Sequence, residues 1–185
     1  RLLCFQVLNS ISFQIALGPP LVLMARHWGA SSLYVGLITA LVPLLTTLQL
    51  FMAPRVEYIG FRKVMLSGWT GRNIFLALCA ILPFFSEYTS ETTRLTALFI
   101  FMFMFNTLRG LATASWMPWV SALVPESWRG RFVSAEQLVI NTSGAATFFL
   151  CGSLLGDEPT NLRFGLIYLI SVMGGWSSLY FLKSI

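Results

Sequence analysis

The sequence predicts an all-α membrane protein of six transmembrane helices, and three observations carry that prediction. Hydrophobic residues fill 56% of 185 positions and charged residues only 10%, where an ordinary soluble domain carries about 25% charged. Several apolar stretches approach or exceed the roughly 20 residues that cross a bilayer. The basic residues are spread over the short turns between those stretches, as membrane topology requires. A net charge of +5 distributed in that way implies a lipid bilayer as partner and no nucleic acid.

Span one is expected over about Leu2–Ala25, where Gln6, Asn9 (or Ser10) and Gln14 share roughly one helix face. Polar residues in that pattern either line a cavity or join helices by hydrogen bonds. Gly18-Pro19-Pro20 bends or loosens its outer end. Span two covers about Leu33–Ala53 and is followed by a basic turn, Pro54–Lys63. Span three, about Val64–Phe85, carries Arg72 some 13 Å of helix rise from its start, with Asn73 beside it. Span four, about Leu95–Val124, is too long for an untilted crossing, so tilt or a bend near Pro118 is expected. Asn106, Arg109, Thr113 and Trp116 form one stripe along it. After a turn at Pro125–Arg131, span five runs over about Phe132–Leu155 with Glu136, Gln137 and Asn141. Gly152 and Gly156 follow in the spacing of a tight helix contact. Span six is about Phe164–Leu182.

A cation within a span costs about 2.5–3.5 kcal/mol on insertion scales, so Arg72 and Arg109 are functional candidates by default, and each is expected to face protein or a hydrated cavity. Glu136 is the acid placed to neutralise either of them. Asn9, Gln14, Arg72, Asn106, Arg109, Glu136 and Asn141 are the candidate residues of a solute path. Cys4, Cys79 and Cys151 lie in separate apolar segments without a C-x-x-C spacing, and the single histidine, His27, falls in a turn. No metal or cofactor is therefore expected.

Lys and Arg are unevenly divided between alternate turns. Arg1, Arg55, Arg62, Lys63, Arg129, Arg131 and Lys183 fall on one side, and Arg26, Arg94 and Arg163 on the other. The richer side, with both chain ends, is expected to be cytoplasmic, in the cell (inner) membrane. The chain opens on Arg1 and stops at Ile185 directly after an apolar run, which reads as a fragment or an excised domain.

Three segments resemble the amino-terminal half of a major facilitator superfamily transporter. The turn after span two is similar to that family's Gly-x-Leu-Ala-Asp-Arg-x-Gly-x-Arg-Lys loop. It keeps Gly60, Arg62 and Lys63, has Glu57 at the acid, and departs at Ala53, Arg55 and Tyr58. Leu123–Arg131 resembles the Pro-x-x-x-Arg-Gly turn after span four, and Arg109 precedes small residues (Gly110, Ala112, Ala114) as in many members. The family's antiporter signature is not present, since no proline follows Gly144-Ala145-Ala146.

The resemblance implies one bundle over residues 1–185, made of two inverted three-helix repeats at about 1–86 and 94–185. It also implies a missing carboxy-terminal six-helix half, with a path for a small-molecule solute between the halves. Glu57, Gly60, Arg62, Lys63, Glu126, Arg129 and Arg131 would form the cytoplasmic gating motif. The expected function is secondary active transport by rocking-type alternating access. The alternatives are a non-transporting membrane receptor or assembly module and an intramembrane enzyme. For an enzyme the sequence offers no Gly-x-Ser-x-Gly stretch, no acid pair placed as a dyad and no histidine at depth.

Overall fold

A computed structural model describes residues 1–185. The chain is all-helical, and six helical stretches are long and apolar enough to cross a membrane. Span one is α1 (Leu2–Leu17) and α2 (Pro19–His27), broken at Gly18 as the Gly-Pro-Pro sequence predicts. Proline at the first helical position needs no N–H there, so α2 restarts at once. Span two is α3 (Ser32–Thr46) and α4 (Leu48–Ile59). Span three is α5 (Phe61–Ile81), ending in a 3₁₀ turn at Leu82–Phe85. Span four is α6 (Glu91–Thr113) and α7 (Trp116–Leu123); span five is α8 (Glu126–Leu155) and span six is α9 (Asn161–Lys183).

Two of the turns are far shorter than the sequence predicts. Within Pro54–Lys63 only Gly60 is non-helical, at φ 96°, a backbone conformation that glycine adopts without steric cost. Within Pro125–Arg131 helix resumes at Glu126. The reason is that hydropathy reports the apolar thickness, whereas a helix continues past that thickness for as long as it satisfies its own backbone. Arg55, Glu57, Glu126, Arg129 and Arg131 therefore stand on helical extensions.

The bend expected near Pro118 in span four falls at Ala114–Ser115, one turn before that proline, which is the third residue of α7. Pro118 has no N–H for the carbonyl four residues earlier, that of Ala114, so the ladder opens there. Ser115 turns back, with both its N–H and its Oγ donating to the Ala112 carbonyl.

The ends of alternate spans meet, which establishes an up-and-down bundle. At one end Arg1 donates to the Ser184 carbonyl (2.8 Å) and Arg62 to that of Lys183 (2.5 Å). At the other, Trp28 donates to Asn161 (2.7 Å), and Arg94 stacks over Trp28 while donating to the Ser86 carbonyl. The helices that start at this second end carry side-chain caps from Ser31, Ser90 and Thr160, each satisfying a backbone donor of the first turn.

Span six packs on spans one and three, span one also on span five, and span four on spans two and three. Small residues set the closest approaches. Gly110 abuts the Leu45 carbonyl, Gly68 abuts Ala112, and Gly174 approaches the Leu8 carbonyl, as tightly packed membrane helices require. The Gly152–Gly156 pair does not act this way. A Cβ added at Gly152 would meet no other part of the chain within 4 Å, and Gly156, at φ 60°, ends α8.

The apolar core divides into two clusters. The larger joins residues such as Ile15, Leu76, Phe105 and Tyr168; the smaller joins Phe5, Met65, Trp69, Ala112, Trp119 and Leu179. Between them, along each of spans one, three, four and six, lie buried polar residues: Ser10 and Ser12, Arg72 and Asn73, Asn106, and Ser171. A polar layer thus crosses the bundle near the middle of its helices.

Candidate functional site

The polar layer opens into a cleft with two communicating parts, of about 580 Å³ and about 180 Å³, which share Gln6, Asn9, Trp69, Arg109 and Ile140. Spans one, three, four and five each contribute. From α1 come Phe5, Gln6, Asn9 and Phe13; from α5, Met65, Trp69 and Arg72; from α6 and α7, Arg109, Thr113 and Trp116; from α8, Glu136 and Gln137.

Asn9 is the hinge of the smaller part. Its Oδ1 accepts from Trp69 Nε1 at 3.0 Å and from Arg72 Nη2. Trp69 precedes Arg72 by one helical turn, so both reach the same side of α5. The indole ring lies 4.2 Å from the Arg72 guanidinium carbon, and the Phe105 ring 5.4 Å from it. This stacking supplies the quadrupole attraction that aromatic faces offer a desolvated cation. Arg72 is only 1% exposed.

Arg109 is half-buried and reaches toward span two. Its Nη2 donates to Thr46 Oγ1 (2.8 Å) and, more weakly, to the Val42 carbonyl (3.4 Å), and its guanidinium carbon lies 5.4 Å from the Phe13 ring. The Val42 carbonyl also accepts from Thr46 Oγ1 at 2.6 Å.

Glu136 forms the opposite wall. Its Oε1 accepts from Gln6 Nε2 and from Trp116 Nε1 (3.0 Å). The expected neutralisation of Arg72 or Arg109 by Glu136 is therefore not the arrangement found: its hydrogen bonds come from neutral donors, and those of both arginines go to neutral acceptors. The geometry joins spans one, four and five through the acid and spans one and three through the cation.

Of the other candidates, Gln14 sits farther along α1 against Gly144 of α8, where a Cβ on that glycine would lie 2.8 Å from the Gln14 amide nitrogen. It serves the contact of spans one and five rather than the cleft. Asn106 is fully buried and turns its amide back to the Met102 carbonyl (2.9 Å). Asn141 is exposed on α8, one residue past the lining Ile140. The cleft thus gathers Asn9, Arg72, Arg109 and Glu136. Trp69, absent from the sequence-derived set, was legible only as an aromatic one turn from a buried arginine.

In the two turns Glu57 and Glu126 are exposed, and Arg55, Arg62 and Arg129 are held by backbone carbonyls. Arg62 caps the end of α9, while Arg129 donates to Ser121 (2.8 Å) and Val124 (3.2 Å) carbonyls at the end of α7. Arg131 stacks on Trp128.

These features define an integral membrane protein, a six-span helical bundle with a charged cleft at its centre. No family model, curated protein or solved structure matches the chain, so its functional reading rests on its own residues.

Proposed function

We propose that the chain is the amino-terminal six-helix half of a major facilitator-type secondary transporter, moving a small solute by rocking-type alternating access. The observation that carries the reading is the cleft itself. Two arginines, one of them wholly buried, and an acid, from three different spans, converge on one cleft inside a largely apolar bundle, and ionisable groups at such depth mark solute or ion pathways.

The helix packing supports it. Exchanging span one with four, two with five and three with six turns each main contact into another: one–six into four–three, one–five into four–two, and three–six into itself. Such exchange symmetry is what two inverted three-helix repeats would give. In this reading a second six-helix bundle faces the cleft, and the Gly60 end, rich in Arg and Lys, is cytoplasmic. Glu57, Glu126 and the basic residues around them then bias the two conformations.

The test is uptake of a panel of carboxylates, phosphates, sugars and amino acids by liposomes containing the full protein. Saturable uptake of one class is the expected result. Absence of flux for every class, with the six-span topology intact, would support the receptor or assembly-module alternative.

A further inference from the structure

Two guanidinium groups, those of Arg72 and Arg109, meet at the narrow end of the cleft. The partners of Arg72 and Arg109 are an amide, a hydroxyl and a carbonyl, all neutral. Each engages through Nη2, while Nε of each is enclosed without a partner. The acid of the cleft, Glu136, takes hydrogen bonds from Gln6 and Trp116. Two cations thus line one space with no carboxylate hydrogen-bonded to either, where removal from water makes an uncompensated charge costly.

We propose that the Arg72–Arg109 end of the cleft binds one oxyanion group, a carboxylate or a phosphate. Calling that group part of a transported solute rests on the transporter reading; the binding site does not. Planar guanidinium groups recognise such oxygens through paired N–H bonds, and Arg72 is pre-positioned by Asn9 on one side and the Trp69 ring on the other. The small part of the cleft, about 180 Å³, takes the oxyanion. The larger part is walled by Phe5, Met65, Trp116 and Met117 on the one hand and Thr113, Glu136 and Gln137 on the other, and takes the uncharged, amphipathic remainder of the ligand. The ligand class is therefore a small organic anion with its charge at one end.

The test measures thermal protection of the full protein in phosphatidylcholine vesicles by benzoate and by inorganic phosphate, at matched ionic strength in chloride. Neutral benzamide and cationic benzylamine serve as controls, and phosphatidylglycerol vesicles form a separate arm. Saturable protection by benzoate or phosphate, absent with both controls, is expected. Arg109→Gln should weaken it about tenfold or more, and Arg109→Lys should retain part of it. Asn9→Asp, which keeps a partner for Arg72 and so guards against a merely misfolded variant, should abolish protection by supplying the anion internally. Protection by phosphatidylglycerol in place of the soluble anions, lost in Arg109→Gln, would keep the oxyanion site and assign it to a lipid headgroup. Equal protection by benzamide or benzylamine, no protection by any of the three anions, or unchanged affinity in both Arg109→Gln and Asn9→Asp would overturn the proposal. Saturable anion binding without any flux would remove the transporter reading and leave the site. Flux of a neutral solute with no protection by any of the three anions would do the reverse.

Discussion

Asn9 joins two donors through a single oxygen, and its removal separates two effects that a change at Arg72 would confound. Asn9→Ala leaves Trp69 Nε1 and Arg72 Nη2 without their acceptor. A hydrogen bond to a charged group contributes about 1.5–3 kcal/mol, so unfolding in detergent should show a loss of that order. Asn9→Asp keeps the oxygen and adds the counter-charge that Arg72 lacks. It should be at least as stable as the parent while losing anion protection. A destabilised Asn9→Asp would mean that Arg72 is already compensated. The candidate residues were legible in the sequence because a polar group at depth is conspicuous in an apolar run. Their partners were not. Which of Asn9, Thr46 or Glu136 meets a given arginine depends on helix rotation and on which spans adjoin, and a single sequence does not encode that locally.

At the scale of elements, small residues and breaks decide the fit, and sequence spacing alone ranks them poorly. Gly152 and Gly156 carry the recognised spacing, yet the Cβ position of Gly152 is open and Gly156 meets only the Arg163 side chain beyond its own helix end, whereas Gly110, with no such pattern, lies against the Leu45 backbone. The difference yields a prediction of opposite signs. Gly110→Ala would drive a Cβ into a backbone carbonyl that cannot rotate away, and overpacking of this kind costs about 1–3 kcal/mol. A Cβ added at the helical Gly36 would meet nothing within 4 Å, so Gly36→Ala should be neutral or gain up to about 1 kcal/mol from helix propensity. Unfolding measurements on the two variants would expose a wrong assignment of the span two–span four contact if their order were reversed. Span number, the Gly18 break and alternating topology followed from apolar length and from proline and glycine. Helix ends past the bilayer did not, because Arg55 and Glu126 continue helices through polar sequence that hydropathy assigns to turns.

For the whole molecule, the up-and-down bundle requires that Lys63 and Glu91 lie at opposite ends, since α5 starts at one and α6 at the other. Single cysteines at the two positions should react with an impermeant thiol reagent from opposite sides of the membrane, and labelling from one side only would remove the topology. A more demanding consequence concerns the Gly60 end. There Arg62, exposed, and Arg129, half-buried, already cap C-termini of the bundle's own helices, where a cation is favourable against the terminal carbonyls. Their loss should lower stability whatever the protein does. Glu57 differs: it is exposed on α4 and accepts no hydrogen bond from the bundle, so as a surface residue its replacement should alter stability by no more than about 0.5 kcal/mol. If the proposed transporter pairs this acid with a basic residue of a facing bundle in one conformation only, Glu57→Gln shifts the balance between conformations without touching the cleft. An exposed pair contributes about 0–1 kcal/mol, which bounds the expected change in turnover at about fivefold. Transport by Glu57→Gln in liposomes should therefore show an altered maximal rate, equilibrium solute binding within error of the parent, and an unchanged unfolding midpoint. Weakened binding at normal turnover would move Glu57 from the gate to the solute path, and a lowered midpoint would make it part of the bundle's own scaffold.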